Sequence, residues 1–159
     1  INKIRNIQTI AWTTFIFAIL LYISDKFKLD KTIKNNFTFK AAILIGLFQI
    51  LSLMPGVSRS GIAITAARIL NYKREDSAKI SFLLSIPILG AVSIFGIQNI
   101  MFSENLNFTT TNVIAIIFSF FFSFITIKFF LEYIKKFSLN IFVFYRVILG
   151  LILLSIIYL

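Results

Sequence analysis

Four stretches of this sequence are apolar over about the length that a helix needs to cross a lipid bilayer. Such a helix takes about 20 mostly apolar residues, and the stretches are residues 7–23, 80–102, 113–131 and 137–159. Of all residues, 58% are apolar and 14% are charged, whereas in a soluble domain about 45–50% are apolar and about 25% are charged. The sequence therefore predicts an all-α integral membrane protein with about four transmembrane helices, in which residues 1–159 form a single transmembrane region.

A fifth apolar region has a different pattern. Residues 41–54 are apolar but too short to cross the membrane, Pro55 and Gly56 interrupt them, and residues 62–72 resume a second short helix. An irregular polar turn at membrane depth is tolerated only where protein buries it or where it lines a water-filled cavity. Residues 41–72 are therefore predicted to form a re-entrant helical hairpin, whose two half-length helices enter the membrane and return to the same side.

The distribution of basic residues supports the hairpin independently. Cytoplasmic loops of membrane proteins are enriched in Lys and Arg, and three basic segments are expected on that side: residues 26–40, 73–79 and 135–136. Residues 103–112 contain no Lys or Arg and are expected outside. The first two basic segments flank residues 41–72, so both flanks lie on the same side, which a hairpin satisfies and a single crossing does not.

Composition also limits the chemistry. The 16 Lys and Arg residues against 6 Asp and Glu give a net charge of +10, which in a soluble domain would favour a nucleic-acid partner. Beside membrane spans the same charge orients helices, so no nucleic-acid partner is expected.

The sequence has no Cys and no His, hence no thiolate nucleophile and no imidazole base. Hydrolytic chemistry would need Arg, Ser, Thr, the few carboxylates or a missing segment, and a chain that starts at Ile1 is expected to be a piece of a longer protein.

The turn inside the predicted hairpin is the most informative polar segment. A charged Arg59 is costly at bilayer depth and usually faces a polar cavity, and its guanidinium matches phosphate oxygens. Ser58 and Ser60 add hydroxyls, Gly56 and Gly61 let the backbone approach a ligand, and a helix opening near Ser60 would aim free N–H groups at the same place. These features predict an anion site. The alternative is that Arg59 pairs with carbonyls exposed by the Pro-Gly break while the serines cap the helix.

Two further polar residues are candidates for the same site. Arg146 lies in the middle of an apolar span, so it is expected to point into the bundle as a second cation rather than to reach the interface. Gln49 lies in the first half-helix. No carboxylate is expected within a span, and Asp25 and Asp30 are assigned to the basic cytoplasmic segment. A substrate anion or an acid from outside this sequence would then neutralise the positive cavity.

Four motifs occur in a fixed order along the chain. They are Gly46-Leu47-Phe48-Gln49, Pro55-Gly56-Val57-Ser58-Arg59-Ser60-Gly61, Ser81-Phe82-Leu83-Leu84-Ser85-Ile86-Pro87 and Tyr145-Arg146. Together they resemble the undecaprenyl-diphosphate phosphatase family associated with bacitracin resistance, over nearly the whole chain and in the carboxy-terminal half of such proteins. The family pattern is Pro-Gly-x-Ser-Arg-Ser-x-x-Thr, and this chain departs from it at the last position, where Ala63 replaces the Thr. Thr65 would supply that hydroxyl only if the helix rotates, since two residues turn a helix by about 200°.

The resemblance implies half of an inverted-repeat fold and a multi-pass enzyme of the bacterial inner membrane. Such an enzyme hydrolyses undecaprenyl diphosphate to undecaprenyl phosphate and phosphate, which recycles the lipid carrier of cell-wall synthesis. A divalent metal, Mg or Ca, is implied, with ligands that are not in this chain. The expected catalytic residues are Arg59 and Ser58, and the expected substrate-binding residues are Ser60, Gly56, Gly61, Thr65, Gln49 and Arg146.

Two other classes of function stay open from the sequence. A transporter or flippase for an anionic polyprenyl lipid would share inverted repeats, broken helices and a mid-membrane anion site. A non-catalytic membrane fragment is the other alternative, and this chain alone is expected to be inactive. The expected partners are a polyprenyl diphosphate lipid, the membrane and the missing amino-terminal half, with a homodimer left open, and the active site is expected to open to the outer face.

Overall fold

The computed structural model describes residues 6–26, 30–102 and 110–158, except for the side chains of residues 99–102. Within these ranges the chain forms seven α-helices and no strand: α1 (Ile7–Asp25), α2 (Ile33–Asn36), α3 (Phe39–Ile50), α4 (Arg59–Ile69), α5 (Arg74–Phe102), α6 (Thr110–Lys136) and α7 (Asn140–Tyr158). A 3-10 turn, Leu51–Leu53, follows α3. The predicted all-α architecture is confirmed. Most of the predicted outer loop, residues 103–109, lies outside the described residues.

Helices α1, α5, α6 and α7 are each long and apolar enough to cross a membrane, which confirms the four predicted spans and an integral membrane protein. Helices α5 and α6 extend beyond the apolar stretches that predicted them. Glu75 and Asp76 occupy the first turn of α5, and Lys135 and Lys136 occupy the last turn of α6. Acidic residues at a helix amino terminus and basic residues at its carboxyl terminus are favourable with the helix dipole. These charged ends therefore continue the helices past the apolar limits.

The two short helices of residues 41–72 pack against each other with their flanks at one end. Ala41 near the start of α3 shares a buried cluster with Ala67 near the end of α4. The segment before α3 and the segment after α4 are joined by backbone hydrogen bonds, because the N–H of Lys31 donates to the carbonyl of Asn71 at 3.1 Å and the N–H of Lys73 donates to the carbonyl of Lys31 at 3.0 Å. The two basic flanks therefore meet, as the charge pattern requires, while insertion of the hairpin into a membrane stays a prediction.

Asp25 corrects one expectation from the sequence. It does not lie in a basic loop but in the last turn of α1, where it is 3% exposed. Its carboxylate accepts hydrogen bonds from Arg74 Nε at 2.6 Å and from the N–H of Leu139 at 3.1 Å, and it lies 3.6 Å from Arg68 Nη2. A buried carboxylate is tolerated because these partners compensate its lost hydration. This Asp25 cluster, made of Asp25, Arg68, Arg74 and the N–H of Leu139, joins α1, α4, α5 and the start of α7.

Helices α1 and α7 form the closest pair of spans. A side chain at Gly150 would lie 3.2 Å from the Cβ of Phe15, so the glycine allows the two helices to approach. By contrast, the side chains of α6 are exposed over most of its length. The fold therefore has a tightly packed side, made of α1, α4 and α7, and an apolar outer side.

Candidate anion-binding site

The polar turn, residues 55–58, connects the 3-10 turn after α3 to α4. Gly56 has a φ of +89°, a conformation that residues with a side chain rarely adopt. A Cβ at this position would also lie 2.6 Å from the carbonyl oxygen of Ile10 and would meet the Thr13 side chain. Gly56 is therefore required twice, for its backbone conformation and for close contact with α1.

Helix α4 begins at Arg59 with Ser58 as its N-cap, close to the predicted start near Ser60. The Oγ of Ser58 accepts a hydrogen bond from the N–H of Gly61 at 3.1 Å and lies 3.2 Å from the Oγ of Ser60. The N–H groups of Arg59 and Ser60, in the first turn, have no acceptor within the helix. Free N–H groups and the positive end of the helix dipole make such a helix start attractive to anions.

Arg146 of α7 reaches this helix start. Its Nη2 donates to the carbonyl of Gly56 at 2.9 Å, and its Nη1 lies 3.0 Å from where a Cβ of Gly61 would be. Gly61 thus leaves the space that the guanidinium occupies. The carbonyl exposed by the Pro-Gly break is bound by Arg146, and not by Arg59 as the alternative interpretation supposed. The predicted orientation of Arg146 into the bundle is what the structure shows.

A cavity of about 560 Å³ opens beside these groups. Five of the eight predicted site residues line it: Gly56, Ser58, Ser60, Gly61 and Arg146. The rest of its wall is mostly apolar and comes mainly from α1, α4, α6 and α7. At a rise of about 1.5 Å per residue, Thr13, which touches the turn, lies about 18 Å along α1 from Asp25. At the same rise Thr13 lies about 9 Å from Ile7 at the other end of α1, so the turn lies within the span and nearer its amino-terminal end.

The other three predicted residues do not line the cavity. Arg59 is exposed at the start of α4, and its side chain makes no hydrogen bond or ion pair with any residue that the structure describes. Thr65 is buried, and its Oγ1 donates to the carbonyl of Gly61 at 2.8 Å within its own helix, so it does not replace the family Thr at Ala63. Gln49 is half-buried in α3. Their proposed roles stay predictions.

Two hydroxyl residues of α1 at this site were missed by the sequence analysis. Thr13 Oγ1 lies 2.6 Å from the carbonyl oxygen of Pro55, and Thr14 Oγ1 lies 3.3 Å from that of Gly56. Thr14 also lines the cavity. The available signal was a pair of adjacent threonines inside an otherwise apolar span, where polar groups usually seek partners within the protein.

The cavity does not have the ligands of a metal site. No carboxylate lines it among the described residues, and within those same ranges no three acidic side chains come together in a way that would hold a metal ion. Divalent Mg and Ca take oxygen ligands in which carboxylates predominate. The described residues therefore do not by themselves fit the metal that the family resemblance implies.

Comparison with known proteins gives a consistent set of relatives. An undecaprenyl-diphosphatase of Pelagibacter ubique (strain HTCC1062) is 55% identical over 97% of this chain and 60% of its own length. Undecaprenyl-diphosphatases of Elusimicrobium minutum (strain Pei191) and Jannaschia sp. (strain CCS1) are 42% and 36% identical, over 94% and 99% of this chain and 56% and 59% of their own lengths. The chain thus spans somewhat less than two thirds of these relatives. The family model described as bacitracin resistance protein BacA matches residues 1–152, and the chain belongs to this family.

Proposed function

We propose that this chain supplies the diphosphate-binding part of a membrane enzyme that hydrolyses undecaprenyl diphosphate to undecaprenyl phosphate and phosphate. Relatives that carry the name undecaprenyl-diphosphatase align with nearly all of it. Because the chain spans 60% of the Pelagibacter relative, the activity is proposed for the full-length protein. The isolated chain is expected to be inactive.

One observation carries this proposal: the guanidinium of Arg146 lies beside the open amino terminus of α4, at a cavity inside an apolar helix bundle. Arg146 donates one hydrogen bond to Gly56, and a guanidinium has five N–H donors. The remaining donors, the first N–H groups of α4 and the hydroxyls of Ser58 and Ser60 are all suited to phosphate oxygens. No described carboxylate lines the cavity to compete with a bound anion.

In the proposed reaction, water attacks the terminal phosphorus and the anhydride P–O bond breaks. Undecaprenyl phosphate leaves with the bridging oxygen, and negative charge grows on the leaving and non-bridging oxygens. Positioned cations and N–H groups stabilise this charge in the transition state. Arg146 and the start of α4 would serve this role in the cavity, and Arg59 would contact the diphosphate from the exposed side of the turn.

Ser58 is better suited to binding than to nucleophilic attack. Its Oγ already accepts the N–H of Gly61, so its own proton is the group left to donate to phosphate or to Ser60. A serine nucleophile needs a base within hydrogen-bond reach, and the described lining of the cavity includes neither a carboxylate nor an imidazole. The base and any divalent metal ligands are therefore proposed to come from outside this chain.

We place the protein in the bacterial inner membrane with its basic end in the cytoplasm. The hydrogen bonds between Lys31, Asn71 and Lys73 hold both ends of the α3–α4 unit together, which supports a re-entrant hairpin. The turn lies nearer the amino-terminal end of α1, about 18 Å from Asp25; in this orientation that end is at the outer face, and the cavity is proposed to open there. The exposed apolar side chains of α6 are available to lipid, to the amino-terminal part and to a second copy in a homodimer.

The test is phosphate release from undecaprenyl diphosphate by the full-length protein in liposomes, compared with its Arg146→Ala variant. Loss of one preorganised donor costs about 10²–10³-fold in kcat, and we expect a loss of at least that order. Lys79→Ala is the control, because it removes a positive charge from the basic end and leaves the cavity intact. Movement of the lipid between leaflets without phosphate release would instead support the flippase, and an unchanged rate in Arg146→Ala would remove the basis of the proposal.

A further inference from the structure

We infer that Thr13 of α1 is a positioning residue for the anion site: its hydroxyl fixes the polar turn that holds Gly56, Ser58 and the start of α4. This inference rests on the proposed function, because it names a residue that makes the same site competent. Thr13 does not line the cavity and would not touch the diphosphate. It would act through the backbone of Pro55 and Gly56.

The geometry of Thr13 points to a specific tertiary hydrogen bond. The side chain is 7% exposed, and its Oγ1 lies 2.6 Å from the carbonyl oxygen of Pro55, which is 42 residues away in sequence. A hydroxyl has one proton to donate, and the competing acceptors are the carbonyls of Thr9 at 2.7 Å and of Ile10 at 3.1 Å. Both carbonyls already accept helical N–H groups, those of residues 13 and 14. The Pro55 carbonyl, nearer and outside any helix, is therefore the acceptor that depends on Thr13.

Side chains hold the carbonyls of the two peptide units of the turn, while the N–H of Val57 donates to the backbone carbonyl of Met54 at 3.2 Å. Within the part of the chain that the structure describes, the carbonyl of Pro55 accepts from Thr13, and that of Gly56 accepts from Thr14 and Arg146. The donors come from α1 and α7, which Gly150 brings together. Loss of the Thr13 hydroxyl would leave the half-buried carbonyl of Pro55 without its partner, which favours rotation of the peptide toward another donor. Rotation at Pro55 would move Gly56 and the acceptor of Arg146.

Thr13 is expected to matter more than its neighbour. Its bond to the turn is 2.6 Å long, against 3.3 Å for Thr14, and hydroxyl bonds to oxygen are commonly about 2.7–2.8 Å. The carbonyl of Gly56 also keeps Arg146 when Thr14 is removed, whereas Thr13 is the donor for Pro55. These contacts predict that loss of the Thr13 hydroxyl has a larger effect on the site than loss of the Thr14 hydroxyl.

The kinetic experiment uses the full-length protein in liposomes with undecaprenyl diphosphate. Thr13→Val keeps the shape of the side chain and removes the hydroxyl, and we expect kcat per folded protein to fall about tenfold with KM changed by less than about twofold. Thr13→Ser should restore most of the rate, and Thr14→Val should have a smaller effect. Ser24→Ala is the matched control, since Ser24 is a buried hydroxyl of α1 whose 2.8 Å bond stays within the helix. A lower yield of folded protein with normal kcat would overturn the inference, because that is the signature of a merely structural role.

A second measurement separates this inference from the proposed function. Met54 is 41% exposed next to the turn, and the 159 residues contain no Cys, so Met54→Cys introduces a reporter thiol once any cysteine elsewhere in the protein is replaced. Its rate of maleimide labelling should rise about threefold or more in Thr13→Val, as a local opening becomes more populated, and should be unchanged in Ser24→Ala. A wild-type protein that releases no phosphate but shows this labelling difference would refute the proposed function and keep Thr13 as the residue that fixes the turn. Equal labelling and equal kcat in Thr13→Val would refute the inference alone.

Discussion

Arginine side chains occupy two inner regions of this protein and have different partners there. In the Asp25 cluster, Arg68 and Arg74 both contact one carboxylate, and Arg68 is 3% exposed. At the polar turn, Arg146 is half-buried and its acceptor is the carbonyl of Gly56. A carboxylate balances the charge of a guanidinium, whereas a carbonyl offers only a dipole.

The difference indicates which region is structural and which can bind a ligand. A cavity of about 640 Å³ also opens beside Asp25, Arg68 and Arg74, but there the guanidinium charges are matched by a carboxylate. Removal of that carboxylate leaves uncompensated charge, which destabilises the fold. An arginine that faces a cavity without an acid keeps most of its positive potential for an incoming anion. We therefore expect the Asp25 cluster to contribute stability and the polar turn to bind the proposed anion, and four substitutions test that division.

Asp25→Asn should produce the largest effect, on stability. It leaves Arg68 and Arg74 next to a neutral amide, and loss of one member of a buried pair costs about 3–5 kcal/mol of unfolding free energy. Denaturant unfolding of the full-length protein in detergent micelles would measure it, with Asp30→Asn as the control because Asp30 is exposed. A change of less than about 1 kcal/mol, the range of surface ion pairs, would mean that the cluster does not hold the fold.

Arg59→Ala should reduce activity and leave stability nearly unchanged, the reverse of what is expected for the Asp25 cluster. Its side chain is exposed and has no bond to any described residue, so we expect the unfolding free energy to change by less than about 0.5 kcal/mol, as at other surface positions. If Arg59 contacts the diphosphate as predicted, phosphate release should fall by about 10²-fold. Lys128→Ala, at an exposed position of α6, controls for the loss of one positive charge. Full activity of Arg59→Ala would leave Arg146 as the principal cation of the site.

Gly61→Ala should affect the site with little effect on the fold. The new Cβ would lie 3.0 Å from Arg146 Nη1 and 3.2 Å from the Cβ and Oγ of Ser58; the guanidinium end can move away at low cost, and the N-cap serine has to shift by a few tenths of an ångström. Alanine also favours a helix over glycine by about 1 kcal/mol, which offsets the contact. We expect activity to fall about tenfold while thermal stability stays within a few degrees, since about 1 kcal/mol shifts Tm by that much. The matched control is Gly90→Ala, where a Cβ meets no atom within 4 Å.

Hydropathy and charge were sufficient to predict the spans and the proximity of the two basic flanks of residues 41–72. Lipid requires long apolar helices, and the basic segments that should lie together do so through Lys31 and Lys73. The N-cap role of Ser58 was also readable, because it depends on neighbours in sequence. The sequence did not show which arginine lines the cavity: Arg146 meets Gly56 across 90 residues, and this contact depends on how α7 is rotated against α4. Asp25 and Thr13 escaped prediction for the same reason, since their partners are remote in sequence.

The last prediction concerns the pH dependence of stability, which Tyr72 at the basic end should influence. Tyr72 is 1% exposed, its hydroxyl donates to the carbonyl of Asn36 at 2.9 Å, and its own carbonyl accepts from Arg68 at 3.1 Å. Burial raises the pKa of the Tyr72 hydroxyl above its ordinary value, because the phenolate would lose hydration. Since the folded state holds this proton more tightly than the unfolded state, the contribution of Tyr72 to stability is complete below pH about 10 and declines as pH rises above it.

Tyr72→Phe should cost about 1 kcal/mol at neutral pH through the lost hydrogen bond and should flatten the alkaline loss of stability. Unfolding at pH 8 and pH 11 measures both effects, and an equally steep alkaline loss in Tyr72→Phe would show that other groups cause it.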